Sequence, residues 1–382
     1  MLTDAERWDT LLQCAQFELR RRDRLLVAEL RAGHRVLSTS ACNGGQTDTV
    51  RFLLNHQSCE GSGDHERLQL IADMGQERYH EHVCGQAGIP PDATASMGTA
   101  ANMNYACVVT QADGDIAVTA VVTAGVEANA TCAGDPASWR ETAAGIERVP
   151  ECGGTINTML LIGAPMTAAA LARAVVTMTE GKSAALQRLA VPSRQSPDLA
   201  TGTGTDQYCV AAPLEGPFVL TSASSHVKLG ELIGRAVRDA TCESLRWQNG
   251  LEPSYTRGVI HAFGRYGLVE KTFIDDMRPL LGAHDLELLA GNARGVLYEP
   301  MAGAAAHALA TVLDRIRHGS VPASVERDAC AQHAAILAAN VAGRPDRWPQ
   351  YRTMLLEPAA AGPKALILAA LALGWSEKWR SA

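Results

Sequence analysis

Hydroxyl side chains beside glycines, with a carboxylate close in sequence, form the part of the chain best suited to catalysis. Thr155 follows Gly153 and Gly154 and opens a predicted apolar strand over residues 156–162. Farther along, the loop Thr203-Gly204-Thr205-Asp206 leads into a second predicted strand. A protein hydroxyl attacks a carbonyl when a neighbouring base takes its proton. We therefore predict that Thr155 is a nucleophile and that Asp206 orients an amine or a hydroxyl, or accepts a proton, as hydrolysis or acyl transfer requires.

A second glycine-rich segment, Asn43-Gly44-Gly45, follows another predicted strand. Backbone N–H groups that converge at glycines, helped by an asparagine amide, can stabilise a developing oxyanion. Asn-Gly is equally the usual sequence of a tight turn, so both interpretations stay open for Asn43. The same holds for the other two candidates, because Thr155 could simply begin a strand and Asp206 could form an Asx turn.

Further polar residues at the ends of predicted elements are candidates for binding substrate. Local capping is the alternative for each of them. His226 is also a candidate proton carrier, because imidazole exchanges protons near neutral pH, although it could equally be a cap or a surface residue. The predicted substrate-binding residues are Gly44, Gly45, Thr99, Asn102, Asn129, Thr203, Thr205 and His226.

His80 and Cys84 raise the question of a metal, because residues four apart share a helix face. A zinc site would need a third ligand, for which Cys59 and His65 are the nearest candidates. The chain has no strict zinc-binding spacing. We therefore expect no metal and no cofactor, with zinc at the His80/Cys84 face as the minority alternative.

Composition narrows the class of protein. The 382 residues are 47% hydrophobic and carry a net charge of -7 without a basic stripe, so nucleic acid is not an expected partner. Cysteines are scattered without a CxxC pair, as in a reducing compartment. The late apolar run over residues 365–373 is shorter than the roughly 20 residues of a membrane span, and the acidic start is unlike a signal peptide. We expect a cytoplasmic protein with no membrane partner.

Apolar periodicity predicts helices and strands in mixed order up to about residue 250. The first two strands are predicted to pair as a hairpin, and residues 135–153 as a loop. Predicted helices cover residues 5–20, 64–84, 167–190 and 228–247, and predicted strands cover residues 25–30, 36–40, 105–109, 116–122, 156–162 and 207–212. Hairpins mixed with strand–helix units indicate an α+β fold, with helices layered over mixed β-sheets. Alanine- and leucine-rich segments then predict a helical extension over residues 251–382, after a catalytic core over residues 1–250.

Six short segments together resemble the adenosylcobinamide amidohydrolase family and occur in that family's order over about residues 25–245. They are Leu37-Ser38-Thr39-Ser40-Ala41-Cys42-Asn43-Gly44-Gly45, Gly98-Thr99-Ala100-Ala101-Asn102-Met103, Thr123-Ala124-Gly125-Val126-Glu127-Ala128-Asn129-Ala130, Gly154-Thr155-Ile156-Asn157, Ala200-Thr201-Gly202-Thr203-Gly204-Thr205-Asp206 and Lys228-Leu229-Gly230-Glu231-Leu232-Ile233-Gly234. The chain departs from the family pattern at Glu127 and in its helical tail.

This resemblance implies hydrolysis of the amide that joins the aminopropanol arm to the corrin ring of adenosylcobinamide. The products would be adenosylcobyric acid and the amino alcohol, so the expected partner is a small corrinoid. A corrin ring presents many amides, which Thr99, Asn102 and Asn129 could bind. The helical tail could serve as a lid, as a partner surface or as the interface of a homo-oligomer.

The strand–helix–loop unit also resembles, more faintly, the superfamily of ornithine acetyltransferases and β-aminopeptidases. That likeness implies helices over two central sheets and a nucleophile at the Gly154–Thr155 step, often freed by self-cleavage. It leaves a small-amide aminopeptidase or an N-acyltransferase with a threonine nucleophile as one alternative. A non-catalytic corrinoid- or tetrapyrrole-binding protein, built around the His80/Cys84 face, is another.

Overall fold

A computed structural model of the chain describes residues 7–61, 63–143, 145–148 and 154–380. The chain divides into two compact units, the first ending at Leu251 and the second beginning at Glu252. The described part of the first unit contains strands β1 (Asp9–Gln13), β2 (Phe17–Arg22), β3 (Leu25–Leu30), β4 (His34–Ser38), β5 (Gly45–Thr47), β6 (Phe52–Gln57), β7 (Thr94–Thr99), β8 (Cys107–Asp113), β9 (Ile116–Ala124), β10 (Ala130–Thr131), β11 (Trp139–Thr142), β12 (Gly145–Arg148), β13 (Ile156–Ile162), β14 (Gly202–Thr203) and β15 (Gln207–Pro213). Its α-helices are α1 (His65–Met74), α2 (Gln76–Ala87), α3 (Ala168–Arg188) and α4 (Lys228–Asn249).

Two larger sheets organise the first unit. One has five strands in the order β1-β2-β3-β6-β7, and the other has six in the order β5-β4-β15-β13-β9-β8. Both are mixed, because β6 pairs parallel with β7 and β13 pairs parallel with β15, whereas the remaining pairs within them are antiparallel. The predicted α+β class, with helices over mixed sheets, is confirmed.

Alternation along the strands explains why these sheets stack in layers. On β9, Val118, Ala120 and Val122 pack with α3 and α4, whereas Val121 points to the opposite face and packs against the five-stranded sheet. The other face of the five-stranded sheet packs against α2, for example against Val83 of that helix. A strand buried on both faces reads as a continuous apolar run, and β13 is buried along its whole length. The result is a helix–sheet–sheet–helix sandwich.

The predicted helix over residues 5–20 is wrong, because its described part forms the strands β1 and β2. A bulge in β1 shifts the register between Thr10 and Leu12. Such a bulge breaks the alternation expected of a strand. The spacing of Leu11, Leu12 and Phe17 then imitates the periodicity of an amphipathic helix.

The predicted hairpin of residues 25–30 with residues 36–40, which correspond to β3 and β4, is also wrong. β3 pairs with β2 and β6, whereas β4 pairs with β5 and β15 in the other sheet. The connection does not fold back because Gly33 packs at the end of β15, where its carbonyl accepts a hydrogen bond of 2.9 Å from the Leu214 amide.

Residues 135–153, predicted as a loop, contain the hairpin of β11 and β12. Within this segment, positions 144 and 149–153, Gly153 included, lie outside the described residues.

The second unit, as far as Arg380, is helical in its described residues. Phe263, Phe273 and Tyr351 are fully buried in its core. Its α-helices are α5 (Pro253–Thr256), α6 (Val259–Phe263), α7 (Phe273–Met277), α8 (Ala283–Leu297), α9 (Pro300–Arg317), α10 (Ala323–Ala342), α11 (Trp348–Ala360) and α12 (Pro363–Glu377). Over the described chain, no helix taken singly is both long and apolar enough for a membrane crossing, and only the pair α8 and α9, bent by 77°, reaches that composition together.

Candidate active site

Thr155 lies immediately before β13, in the middle of the six-stranded sheet, and its side chain is buried. Its carbonyl accepts a hydrogen bond of 3.0 Å from the Gly125 amide at the end of β9. Its hydroxyl Oγ1 lies 2.6 Å from Oγ1 of Thr205 and donates to the Gly154 carbonyl at 2.8 Å. The two sequence segments with hydroxyl-bearing residues, around Thr155 and around Thr205, therefore meet in space.

The Gly154 carbonyl is the focus of several donors. Asn129 Nδ2 donates to it at 3.0 Å and Thr205 Oγ1 at 2.7 Å, in addition to Thr155. A Cβ at position 154 would lie 3.1 Å from Cβ of Asn129 and 3.2 Å from the carbonyl oxygen of Gly125. Only glycine fits there without displacing its neighbours. Donors that converge on a carbonyl oxygen in this way stabilise negative charge on it.

Asp206 occupies the other side of the strand start. Its carboxylate accepts from the Ile156 amide at 3.0 Å, and from the amide and hydroxyl of Thr203 at 3.1 and 2.5 Å. Lys182 of α3 forms an ion pair with it, and the side chains of the pair are only 14% and 18% exposed. A Cβ on Gly202 would meet both partners. Asp206 thus ties the β14–β15 loop to β13 and to α3.

A cavity of about 860 Å³ opens beside Thr155. Ligand sites commonly occupy roughly 300–1,000 Å³, so this cavity is large enough for a substantial small molecule. Both sheets contribute to it, and Gly154, Thr155 and Thr205 form part of its wall. The described lining residues are Ala41, Cys42, His56, Ser58, Cys59, Leu68, Ile71, Ala72, Gly75, Gln76, Tyr79, His80, Ser96, Gly98, Thr99, Ala100, Asn129, Trp139, Gly154, Thr155, Thr205 and Gln207.

A second cleft, of about 570 Å³, shares Gly154 and Ala100 with the first. Its wall includes Glu127, the residue at which the chain departs from the family pattern, together with Gln248 and Asn249 from the end of α4. The Gly154–Thr155 step therefore lies between two openings.

The structure brings four of the predicted site residues into the wall of the larger cavity: Thr99, Asn129, Thr155 and Thr205. Asp206 and Thr203 are not among the described lining residues, but they contact each other, and Asp206 accepts from the amide of Ile156, the residue after Thr155. Asn102 faces its own turn, where its Oδ1 caps the Asn104 amide at 2.8 Å. His226 is exposed in the loop before α4 and is not among the described lining residues of the cavity.

The Asn43-Gly44-Gly45 segment forms a tight turn outside the described lining of the cavity. Asn43 has a left-handed φ of 54° and donates its Nδ2 hydrogens to the carbonyls of Pro91 and Thr94, at 2.8 Å each. These donors are already engaged, so the side chain has none left for an oxyanion. Gly44 is required because a Cβ would lie 1.9 Å from the Ser40 carbonyl oxygen.

The His80/Cys84 face is held together by hydrogen bonds. His80 Nδ1 lies 2.8 Å from Ser96 Oγ, and its Nε2 lies 2.9 Å from the Pro91 carbonyl. Both ring nitrogens are thereby occupied. The described residues contain no group of three or more histidine, cysteine or acidic side chains arranged to hold a metal ion.

Sequence patterns did not single out four residues that the fold brings to this site. They are His56, Tyr79, Asn157 and Gln207. Asn157 Nδ2 donates to Gly98 O at 3.1 Å and to Asn55 Oδ1 at 2.8 Å, and Gln207 Oε1 accepts from the Gly98 amide at 3.0 Å. These contacts join the two sheets beside the cavity. The available sequence signals were weak: Asn157 lies in the family segment Gly154-Thr155-Ile156-Asn157, and His56 and Gln207 lie at the ends of apolar segments, whereas Tyr79 has polar neighbours.

Burial lowers the pKa of His56 from its ordinary value of 6.5 to about 4. The unfolded chain takes up a proton at this residue near pH 6.5, whereas the folded chain does so only near pH 4. Above pH 6.5 the imidazole is neutral in both states and does not lower the free energy of unfolding. As the pH falls from 6.5 toward 4, protonation of the unfolded chain lowers that free energy by up to about 3 kcal/mol. Denaturant titrations of the wild type and of His56→Gln at several pH values should differ by this slope. Parallel pH profiles for the two proteins would contradict the pKa shift.

Comparisons with known proteins identify the family of this chain. The family model described as adenosylcobinamide amidohydrolase matches residues 10–253, which is more than half of the chain and contains every site residue above. An uncharacterized protein of Methanocaldococcus jannaschii is 35% identical over 188 residues, which cover 46% of this chain and 71% of that protein. The family's name implies hydrolase activity. The chain belongs to the adenosylcobinamide amidohydrolase family.

Proposed function

We propose that this chain hydrolyses the amide between the aminopropanol arm and the corrin ring of adenosylcobinamide, with adenosylcobyric acid and the amino alcohol as products. The family match supports this substrate class. The observation that carries the proposal is the Thr155 hydroxyl in the wall of a cavity of about 860 Å³, next to donors that converge on one carbonyl position. No cofactor takes part in the proposed reaction.

In this mechanism Thr155 Oγ1 attacks the amide carbon of the substrate. Asn129 Nδ2 and the Thr205 hydroxyl donate to the Gly154 carbonyl in the uncut chain. They would hold the developing oxyanion of the substrate once cleavage before Thr155 lets Gly154 move away from them. Thr99, whose hydroxyl also accepts from the Ala101 amide, contributes a polar group to the cavity for a substrate side arm. Asp206 and Lys182 act indirectly, because they fix the first amide of β13.

A base for Thr155 is missing from the uncut chain. Among the described residues, its hydroxyl contacts another hydroxyl and a carbonyl, and neither group accepts a proton readily near neutral pH. Threonine nucleophiles can use their own α-amine as the base when that amine is free. The Gly154–Thr155 peptide bond would have to break to release it.

The arrangement around Gly154 suits that cleavage. Thr155 Oγ1 would attack the Gly154 carbonyl carbon while Asn129 and Thr205 stabilise the carbonyl oxygen. The C–N bond breaks as an ester C–O bond forms, and the hydroxyl proton moves to the Thr155 nitrogen. Water then hydrolyses the ester. This leaves a carboxylate on Gly154 and the free amine on Thr155.

Intact-mass measurement of the purified protein tests this cleavage. We expect two polypeptides, residues 1–154 and 155–382, whose masses sum to that of the full chain plus one water. Thr155→Ala removes the attacking hydroxyl, and its mass should remain that of the full chain. A wild-type protein that keeps its full-length mass while it turns over substrate would exclude self-cleavage and leave the base to be found elsewhere.

Product analysis tests the proposed function itself. Adenosylcobinamide incubated with the protein should yield adenosylcobyric acid and aminopropanol, detected by liquid chromatography and mass spectrometry. Corrinoid that binds but stays intact would instead identify a corrinoid-binding protein without catalysis. Release of amino acids from β-peptide amides, or acetyl transfer from an acetylated amine, without corrinoid turnover would indicate an aminopeptidase or an N-acyltransferase.

A further inference from the structure

We propose that His56 binds the cobalt of the corrinoid substrate through its imidazole Nε2, at the axial position opposite the adenosyl group. This inference rests on the proposed function, because it needs a corrinoid in the cavity. His56 has no part in the amide chemistry described above. Its role would be to position the ring so that one side arm reaches Thr155 in the same cavity.

The backbone delivers this imidazole to the cavity wall. His56 lies near the end of β6, pairs with Gly98 on β7, and is 6% exposed. A Cβ at position 98 would lie 3.4 Å from Cε1 and 3.6 Å from Nε2 of the imidazole. Because glycine has no side chain, position 98 places no atom over this edge of the ring. His56 and Gly98 both line the cavity.

The imidazole is under-used by the protein. Nε2 makes a hydrogen bond of 3.2 Å with the Tyr79 hydroxyl, and Nδ1 is buried with no hydrogen-bond partner of good geometry in the described part of the chain. Buried polar atoms are normally paired, and an unpaired one costs free energy. His80, the next residue after Tyr79 on α2, offers the contrast, because both its nitrogens are occupied. The unpaired atom is Nδ1, whereas Nε2, the proposed cobalt ligand, has the Tyr79 hydroxyl as its hydrogen-bond partner among the described residues. A cobalt ligand role therefore requires that this one contact be displaced.

A cobalt ligand must be the neutral form of histidine, with a lone pair on the binding nitrogen. Burial is the largest cause of the lowered pKa of His56, and the nearby charge of Arg67 lowers it further. Both effects favour the neutral imidazole that cobalt binding requires. Metal-binding histidines usually place the proton of the other nitrogen against the backbone, and the Met97 backbone is the neighbour that can receive it here.

The proposed exchange is balanced without any redox step. Adenosylcobinamide lacks a nucleotide base, so water holds the axial position opposite the adenosyl group. The cobalt–oxygen bond to that water breaks, a cobalt–nitrogen bond to Nε2 forms, and the water leaves to solvent. The Tyr79 hydroxyl gives up its contact with Nε2 and turns to solvent. The oxidation state of cobalt does not change.

Electron paramagnetic resonance with cob(II)inamide gives a direct readout of the axial atom. Low-spin cobalt(II) carries its unpaired electron along the axis, so an axial nitrogen splits each cobalt line. We expect triplets with the wild-type protein at natural isotope abundance and doublets with uniformly ¹⁵N-labelled protein, because only a protein nitrogen changes with that label. His56→Ala should bind cob(II)inamide without any splitting. His82→Ala, which removes an exposed histidine of α2, should keep it.

The wild-type spectra decide the matter even if His56→Ala fails to fold. Bound cob(II)inamide without nitrogen splitting would overturn the axial ligation, and the proposed hydrolysis would stand if product still forms. A splitting that persists as a triplet in ¹⁵N-labelled protein, or that survives in folded His56→Ala, would also overturn it. Absence of any corrinoid binding would remove both this inference and the proposed function.

Discussion

Replacing Thr155 with alanine is expected to lower turnover of adenosylcobinamide by about 10⁴-fold or more, because loss of the attacking group removes the covalent step. The fold should survive, since the methyl group of alanine fits the space of the threonine side chain. Circular dichroism and thermal unfolding check the fold, and single-turnover product analysis measures the rate. The proposed mechanism makes this buried hydroxyl, 2.6 Å from Thr205 Oγ1, the nucleophile.

Two variants make this prediction specific. Thr155→Ser keeps a hydroxyl at the same place and should retain measurable turnover. Thr110→Ala removes an exposed threonine from β8 of the same sheet and should leave the rate unchanged. Near-normal turnover by folded Thr155→Ala would exclude this residue from the mechanism.

Replacing Asp206 with alanine is expected to cost about 3 kcal/mol of unfolding free energy and most of the activity. The change leaves Lys182 in a largely buried position without its carboxylate, and breaking such a pair is expensive. It also deprives the Ile156 and Thr203 amides of their acceptor, so the strand start that presents Thr155 loses its anchor. Denaturant unfolding measures the first effect, and product formation measures the second.

Two further variants, one of the ion-pair partner Lys182 and one of an exposed ion pair, serve as references for the loss of stability in Asp206→Ala. Lys182→Met should cost less, about 1–2 kcal/mol, because Asp206 keeps three other hydrogen bonds from Ile156 and Thr203. Asp48→Ala breaks an exposed pair with Arg35 and should cost less than about 1 kcal/mol. If Asp206→Ala is no more destabilising than Asp48→Ala, the carboxylate has no anchoring role.

The parts of the fold that the sequence predicts well are those where local and long-range preferences agree. β9 and β13 are apolar runs buried on both faces, and both were predicted close to their observed bounds. The helix predicted over residues 167–190 is α3, and the side chain of Thr167 caps it by accepting from the Ala170 amide. α4 was predicted to within a few residues. The family resemblance, carried by six short segments, is confirmed by the match over residues 10–253.

The failures occurred where tertiary structure overrides a local pattern. A bulge gave β1 a helix-like spacing of apolar residues. The segment before β4 looked like a hairpin turn, although the chain there passes from one sheet to the other. Neither feature follows from periodicity alone, because each depends on which strand lies alongside.

The candidate site, like the fold, was predicted only in part. Asn129, Thr155 and the adjacent pair Thr205 and Asp206 come from three separate segments. They converge because β13 pairs parallel with β15 and β10 pairs antiparallel with β14. The sequence marked them as polar groups at element ends, which was enough to select them. The glycine-rich turn at Asn43 carries the same local signal, yet its side chain is used to hold the backbone of residues 91 and 94. His56 carried no motif and becomes notable only when β7 places Gly98 beside it.

The most direct measurement is capture of the covalent intermediate during a single turnover of adenosylcobinamide. The reaction is quenched with acid at successive times, the protein is digested, and the peptides are analysed by mass spectrometry. The mechanism predicts a corrinoid acyl group attached to Thr155, which appears before the free acid and then decays. Product that forms with no acyl adduct at any time, or an adduct on another residue, would contradict attack by the Thr155 hydroxyl.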